Sequence, residues 1–122
     1  MKIERDTPDG RNTFTGYGEG YVEVNRIRHT ASVVVSEDRV SEWPATSIEA
    51  LSASMLAIVA ETAPEVVVLG TGSTFEFPDP AVLKPLRDAR IGVEVMDTRA
   101  ACRTYNILLG EGRKVTAALI VQ

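Results

Sequence analysis

Polar and apolar positions change their period along the chain, and each change marks an element. Residues 1–20 hold no sustained period and are punctuated by Pro8, Gly10, Gly16, Gly18 and Gly20. They predict a lead-in that is irregular or frayed over 1–13 and becomes ordered near Phe14 to Tyr17. From Tyr21 to Val24 apolar and polar residues alternate, and a second run from Ile27 to Val35 follows Asn25-Arg26. Two such runs around two turn residues predict an antiparallel hairpin, with Asn25 suited to a positive φ. A third short strand is expected between Arg39 and Trp43, ending at Pro44, because proline holds the residue before it extended.

Beyond Pro44 the period lengthens. Ile48, Leu51, Met55, Ile58 and Val59 recur at helical spacing, with Ser47 as the cap and Ala50 where a capping box would place Glu or Gln. Ala50, Ala53, Ala57 and Ala60 fill most of the opposite side, and Glu49 and Glu61 are its only charges. A helix with so little polar surface is usually covered on more than one side, by its own domain or by a second copy of the chain. Val66-Val67-Val68-Leu69 is then a continuous apolar run ending at Gly70, as expected of a strand buried on both faces. Asp79-Pro80 predicts a capped start, and Pro85 limits the segment around it to a tight turn and a short helix. Gly92–Met96 is the next strand, Asp97 or Thr98 caps a helix to about Leu109 that Gly110 and Gly112 end, and Lys114–Val121 is the last strand. Together these predict a single α/β domain over 1–122, with an N-terminal antiparallel hairpin before a β-α-β-α-β unit whose strands tend to be parallel.

This topology predicts where a ligand would sit. If the strands at Val66 and Val93 are parallel neighbours, the turn Gly70-Thr71-Gly72-Ser73 and the helix start Asp97-Thr98 meet at one sheet edge, where open α/β sheets place ligands. Backbone amides of the turn, the positive helix end and the guanidinium groups of Arg99 and Arg103 would favour a carboxylate or phosphate there. Two glycines after a strand are nonetheless more often a tight turn. The third position of a dinucleotide fingerprint is Phe75, and no Gly-Lys-Ser/Thr of a P-loop occurs.

Other chemistries have less to stand on. Cys102, early in a helix and near Arg99 and Arg103, is the candidate reactive thiol, against the ordinary reading of a small buried apolar residue. His29 is the one histidine, so a histidine-based metal site or Ser-His-Asp relay would have to be built from it alone. No metal, cofactor or catalytic set is expected. Trp43 and Tyr105 read most simply as core aromatics with a polar tip, the alternative being that either lines a cleft. Thirteen Lys and Arg against seventeen Asp and Glu give a net charge of −4 without a basic run, which argues against nucleic acid. No apolar stretch approaches the roughly 20 residues needed to span a bilayer. Met1-Lys2-Ile3-Glu4-Arg5-Asp6 has no leader pattern, so a cytoplasmic location is expected.

Gly70-Thr71-Gly72, Phe77-Pro78, the run Ile91 to Thr98, the run Ala100 to Asn106 and Glu111-Gly112-Arg113 together resemble one family. It is the small single-domain family that includes an adipogenesis-associated protein and a mitochondrial respiratory complex I assembly factor. The second half of the chain carries the resemblance nearly without a break. In the first half, a turn that is often Asn-Gly in relatives is Asn25-Arg26 here. The resemblance implies a three-layer α/β fold with a mixed central sheet, protein partners and no known reaction, and it supplies no catalytic residue to carry over. Two functions are therefore expected to compete: a non-enzymatic protein-binding or assembly module, and a binder or converter of a small anionic metabolite at the Gly70/Asp97 edge.

Overall fold

The two apolar runs that lack alternation, Val66–Gly70 and Val115–Leu119, lie side by side in one sheet, and every residue of both is buried. A computed structural model of the chain, which describes residues 10–122, shows how both faces of these strands are covered. The elements are β1 (Phe14–Gly18), β2 (Tyr21–Val24), β3 (Ile27–His29), β4 (Val33–Ser36), β5 (Arg39–Glu42), α1 (Ala53–Ala60) and β6 (Val66–Gly70). A 3₁₀ turn (Pro80–Leu83), α2 (Lys84–Asp88), β7 (Gly92–Met96), α3 (Thr98–Gly110) and β8 (Val115–Leu119) complete the order. Five strands form the central sheet in the order β5-β4-β8-β6-β7, with β6 parallel to β7 and β8 and the β4 pairs antiparallel. The expected mixed sheet and β-α-β-α-β unit are present.

Side chains alternate across a strand, so each face gathers every second residue. Val33, Val35, Val66, Val68, Val115, Ala117 and Leu119 pack toward α3 and a small sheet of β1, β2 and β3. Val34, Val67, Leu69, Ala118 and Ile120 pack toward α1 and α2, where Leu56, Val59 and Leu86 are fully buried. The two clusters and the sheet between them make the three layers. No helix of the described residues is long and apolar enough to cross a membrane.

Two local expectations are corrected and two are sharpened. The run Ile27 to Val35 is not one strand: β3 stays with β2, whereas β4 leaves for the central sheet and pairs with β8. Ser32 fixes the crossing, its hydroxyl accepting the Val121 N–H (3.0 Å) and its carbonyl the Trp43 N–H (2.9 Å). The order expected near Phe14 to Tyr17 is a full strand, Phe14–Gly18, with a register shift between Phe14 and Gly16. Asn106 secures it by donating to the Phe14 carbonyl and accepting the Phe14 N–H, at 2.8 and 2.9 Å, as a neighbouring strand would. Residues 10–13 are irregular but not frayed, since Asn12 bonds to Glu37 and Ser36 and its carbonyl accepts the Tyr105 hydroxyl; the rest of the frayed stretch lies outside the described residues.

The second correction concerns α1. It begins at Ala53 rather than Ser47, because Ser52 is extended (φ −130°, ψ 162°) and ends the single turn that Ser47 caps through the Ala50 N–H. Ile48 and Leu51 are buried as their spacing implied, but from a turn, and Ile58 faces out with 44% of its surface exposed. The hairpin turn behaves as expected despite lacking glycine: Asn25 and Arg26 take φ of 49° and 71°, the pair of positive values a two-residue hairpin turn needs. The helix end at Ala63 also sits at a positive φ, 52°, where a Cβ is strained. Ala63 is exposed, so Ala63→Gly is expected to stabilise the fold by about 0.5–1 kcal/mol, seen as a higher urea midpoint at unchanged m value.

Candidate functional site

Strands β6 and β7 are parallel neighbours with Gly70 opposite Met96, so the turn after β6 and the start of α3 do meet at one edge. The junction is built by reciprocal hydrogen bonds. The Thr71 N–H donates to the Met96 carbonyl (2.9 Å), and the Thr98 N–H donates to the Gly72 carbonyl (2.9 Å). The Gly72 N–H donates to Thr98 Oγ1 (2.9 Å), and that hydroxyl donates to the Ile120 carbonyl (2.7 Å), so one buried threonine joins three segments. Gly70 is required by the closeness of this join: a Cβ there would lie 2.8 Å from Thr98 Oγ1 and 3.0 Å from Thr98 Cα. Gly72 is required by its φ of 106°.

A cleft of about 270 Å³ opens beside the junction. Gly72, Ser73, Thr98 and Arg99 form one wall, and Tyr17, Tyr21 and Val22 of the β1–β2 hairpin form the facing one. Of the residues expected at the site, those four reach the cleft. Gly70 and Thr71 are buried behind it, and Asp97 accepts the Ala100 N–H (2.9 Å) as the cap of α3. Arg103 is held by the hairpin, donating to the Tyr17 hydroxyl at 2.7 Å with its guanidinium 5.8 Å from the ring centroid. The hairpin wall escaped sequence analysis, although two tyrosines flanking Gly18 and Gly20 were a signal for it.

The electrostatics differ from those expected. The amides of Thr71, Gly72, Thr98 and Ala100 are bonded within the protein, so the turn and helix end present fewer donors than their geometry suggested. The Arg99 guanidinium is exposed and makes no hydrogen bond or ion pair among the described residues, and with the Ser73 hydroxyl it remains for a ligand.

Cys102 takes the place of a small buried residue, the ordinary one of its two readings. Its side chain is buried in the α3 cluster, and burial pushes the thiol up to about 12, outweighing the opposing effect of Arg103. A group so protonated at neutral pH is not a ready nucleophile. Burial also raises the Tyr105 phenol, whose ring meets Phe14 edge-on at 5.1 Å. Trp43 donates to the Met55 carbonyl (3.1 Å), and both aromatics are core residues with a satisfied tip. No group of three or more His, Cys, Asp and Glu side chains among the described residues would hold a metal ion.

Known proteins resemble this chain in fold and in sequence. A protein of Bordetella parapertussis superposes with a TM-score of 0.89 at 41% identity, covering 95% of this chain and 100% of that one. In sequence, the chain is 31% identical over 98% of its length to the NADH dehydrogenase [ubiquinone] 1 alpha subcomplex assembly factor 3 of Xenopus tropicalis, and covers 66% of that protein. It thus spans about two thirds of that relative. It is 28% identical to the 13 kDa major membrane protein of Francisella tularensis, covering 98% of this chain and 99% of that one. The junction residues and both core clusters fall almost wholly within residues 14–120, which match a single family model, and the chain belongs to that family, described as proteins of unknown function (DUF498/DUF598).

Proposed function

We propose that this chain is a non-enzymatic protein-binding module that accompanies the assembly of a larger complex. The observation that carries this is its likeness, along 98% of its length, to a relative whose name is that of an assembly factor. The junction supports it too, because the residues most suggestive of chemistry are engaged in holding two segments together. A cytoplasmic location, or one beside a membrane-bound complex, suits such a role equally. Tagged protein purified from its native host and passed over size-exclusion resin is expected to elute with a stoichiometric protein partner or as a homo-oligomer. A strict monomer that retains nothing removes the reading.

One observation favours a second reading, a small anion in the cleft: Arg99 lines a space near the lower end of the roughly 300–1,000 Å³ common for small-ligand sites, with its charge unpaired among the described residues. Thermal-shift screening against carboxylates and phosphates is expected to give stabilisation that Arg99→Ala abolishes. Stabilisation that the variant retains would place the anion elsewhere.

A further inference from the structure

The loop leaving the junction carries two large apolar side chains outward. Phe75 and Phe77 are 49% and 78% exposed, and their rings touch edge-on with centroids 4.7 Å apart. We propose that residues 73–77 are a docking finger whose paired rings enter an apolar groove of a protein partner that bears lysine or arginine at its rim. The proposal rests on the protein-binding function above and adds the place and chemistry of contact.

The finger is shaped before binding. Thr71, buried beneath it, donates to the Thr74 carbonyl (2.6 Å) and accepts the Glu76 N–H (3.2 Å), while Pro78 is buried at the far end. A loop fixed in this way loses little conformational freedom on docking. Aromatic side chains of about 150–250 Å² each are the residues that anchor interfaces. The exposed parts of these two make roughly a third of the ~800 Å² one partner contributes to a stable interface, so they are an anchor within a wider contact.

Charge selects the occupant. Phe75-Glu76-Phe77-Pro78-Asp79 carries two carboxylates and no base, and the exposed Glu76 makes no ion pair among the described residues. A lipid surface suits this poorly, because Glu76 would enter the headgroup region between the two rings, and anionic lipids would repel it. A protein groove with a basic rim accommodates rings and carboxylate together.

The test places a photo-reactive benzoylphenylalanine at position 75, 77 or, on α1, 58 of the full chain in its native host. Cross-linked peptides are mapped, and the captured partner is purified for affinity measurement. Positions 75 and 77 are expected to map to a partner surface with apolar residues and a lysine or arginine. Phe77→Ala should weaken binding at least tenfold, and Glu76→Lys about threefold to fivefold at low salt, restored by reversing the partner's rim charge. Circular dichroism of each variant should match wild type, since both rings are outside the core. Capture only from position 58 would overturn the finger and leave the protein-binding function standing, whereas no protein captured from any position would remove both. Cross-links to lipid, with Phe77→Ala detaching the chain from phosphatidylcholine vesicles, would assign the rings to a membrane instead. A mapped groove without a basic residue, or Glu76→Lys binding unchanged, would overturn the charge assignment.

Discussion

Thr98→Val is expected to lower the unfolding free energy by about 2–4 kcal/mol, read from urea titration, while Thr98→Ser stays within about 1 kcal/mol of wild type. The asymmetry comes from the partners. Valine keeps the shape and removes a hydroxyl that accepts the Gly72 N–H and donates to the Ile120 carbonyl, both in a buried setting. Each buried group left without a partner costs about 1–3 kcal/mol, so two such losses account for the size of the effect. Serine keeps both bonds and loses only a methyl group. The backbone bond from Thr98 N–H to the Gly72 carbonyl survives either change, so the junction is expected to loosen rather than come apart. A valine variant as stable as wild type would mean that the hydroxyl does not hold the turn to the helix.

That junction was the most legible part of the chain, for a physical reason. An unbroken apolar run ending in glycine, with an aspartate before a helix further along, encodes local conformation and burial at once. Asp97 does cap α3 and β6 does lie beside β7. Where burial and conformation part company, the pattern misleads. Ile48 and Leu51 are buried at helical spacing in a segment that forms only a turn, because Ser52 turns extended before α1 starts. The run Ile27 to Val35 looks uniform because both its ends are strands, and the move between sheets depends on Ser32 meeting Trp43 and, eighty-nine residues away, Val121. Order near Phe14 was legible but its strand character was not, because its bonding partners include the Asn106 side chain, ninety-two residues away. The second wall of the cleft was missed with it.

The same burial that makes Cys102 a core residue makes the fold sensitive to alkali. Raising the pH from 8 to 11 is expected to remove about 3 kcal/mol of stability through this one group. An unfolded thiol titrates near 8.5, whereas the folded one is raised to about 12 by burial. Between those values the unfolded chain has given up a proton that the folded chain keeps, so each pH unit favours unfolding by about 1.4 kcal/mol. The stabilisation is complete below pH 8 and is lost as the pH climbs toward 12. Tyr105, raised by burial first and by Glu37 next, adds its own decline above about pH 10, where a free phenol ionises. Urea titrations from pH 7 to 10 on wild type and Cys102→Ala separate the thiol from everything else: the variant starts less stable because of its small cavity, but its curve should stay flat between pH 8.5 and 10. Iodoacetamide labelling of native protein should then proceed only through opening of the core, with a rate that rises with urea. A native thiol that labels at pH 7 as fast as an exposed one, on a fold whose stability ignores pH 8.5 to 10, would restore thiolate chemistry to α3.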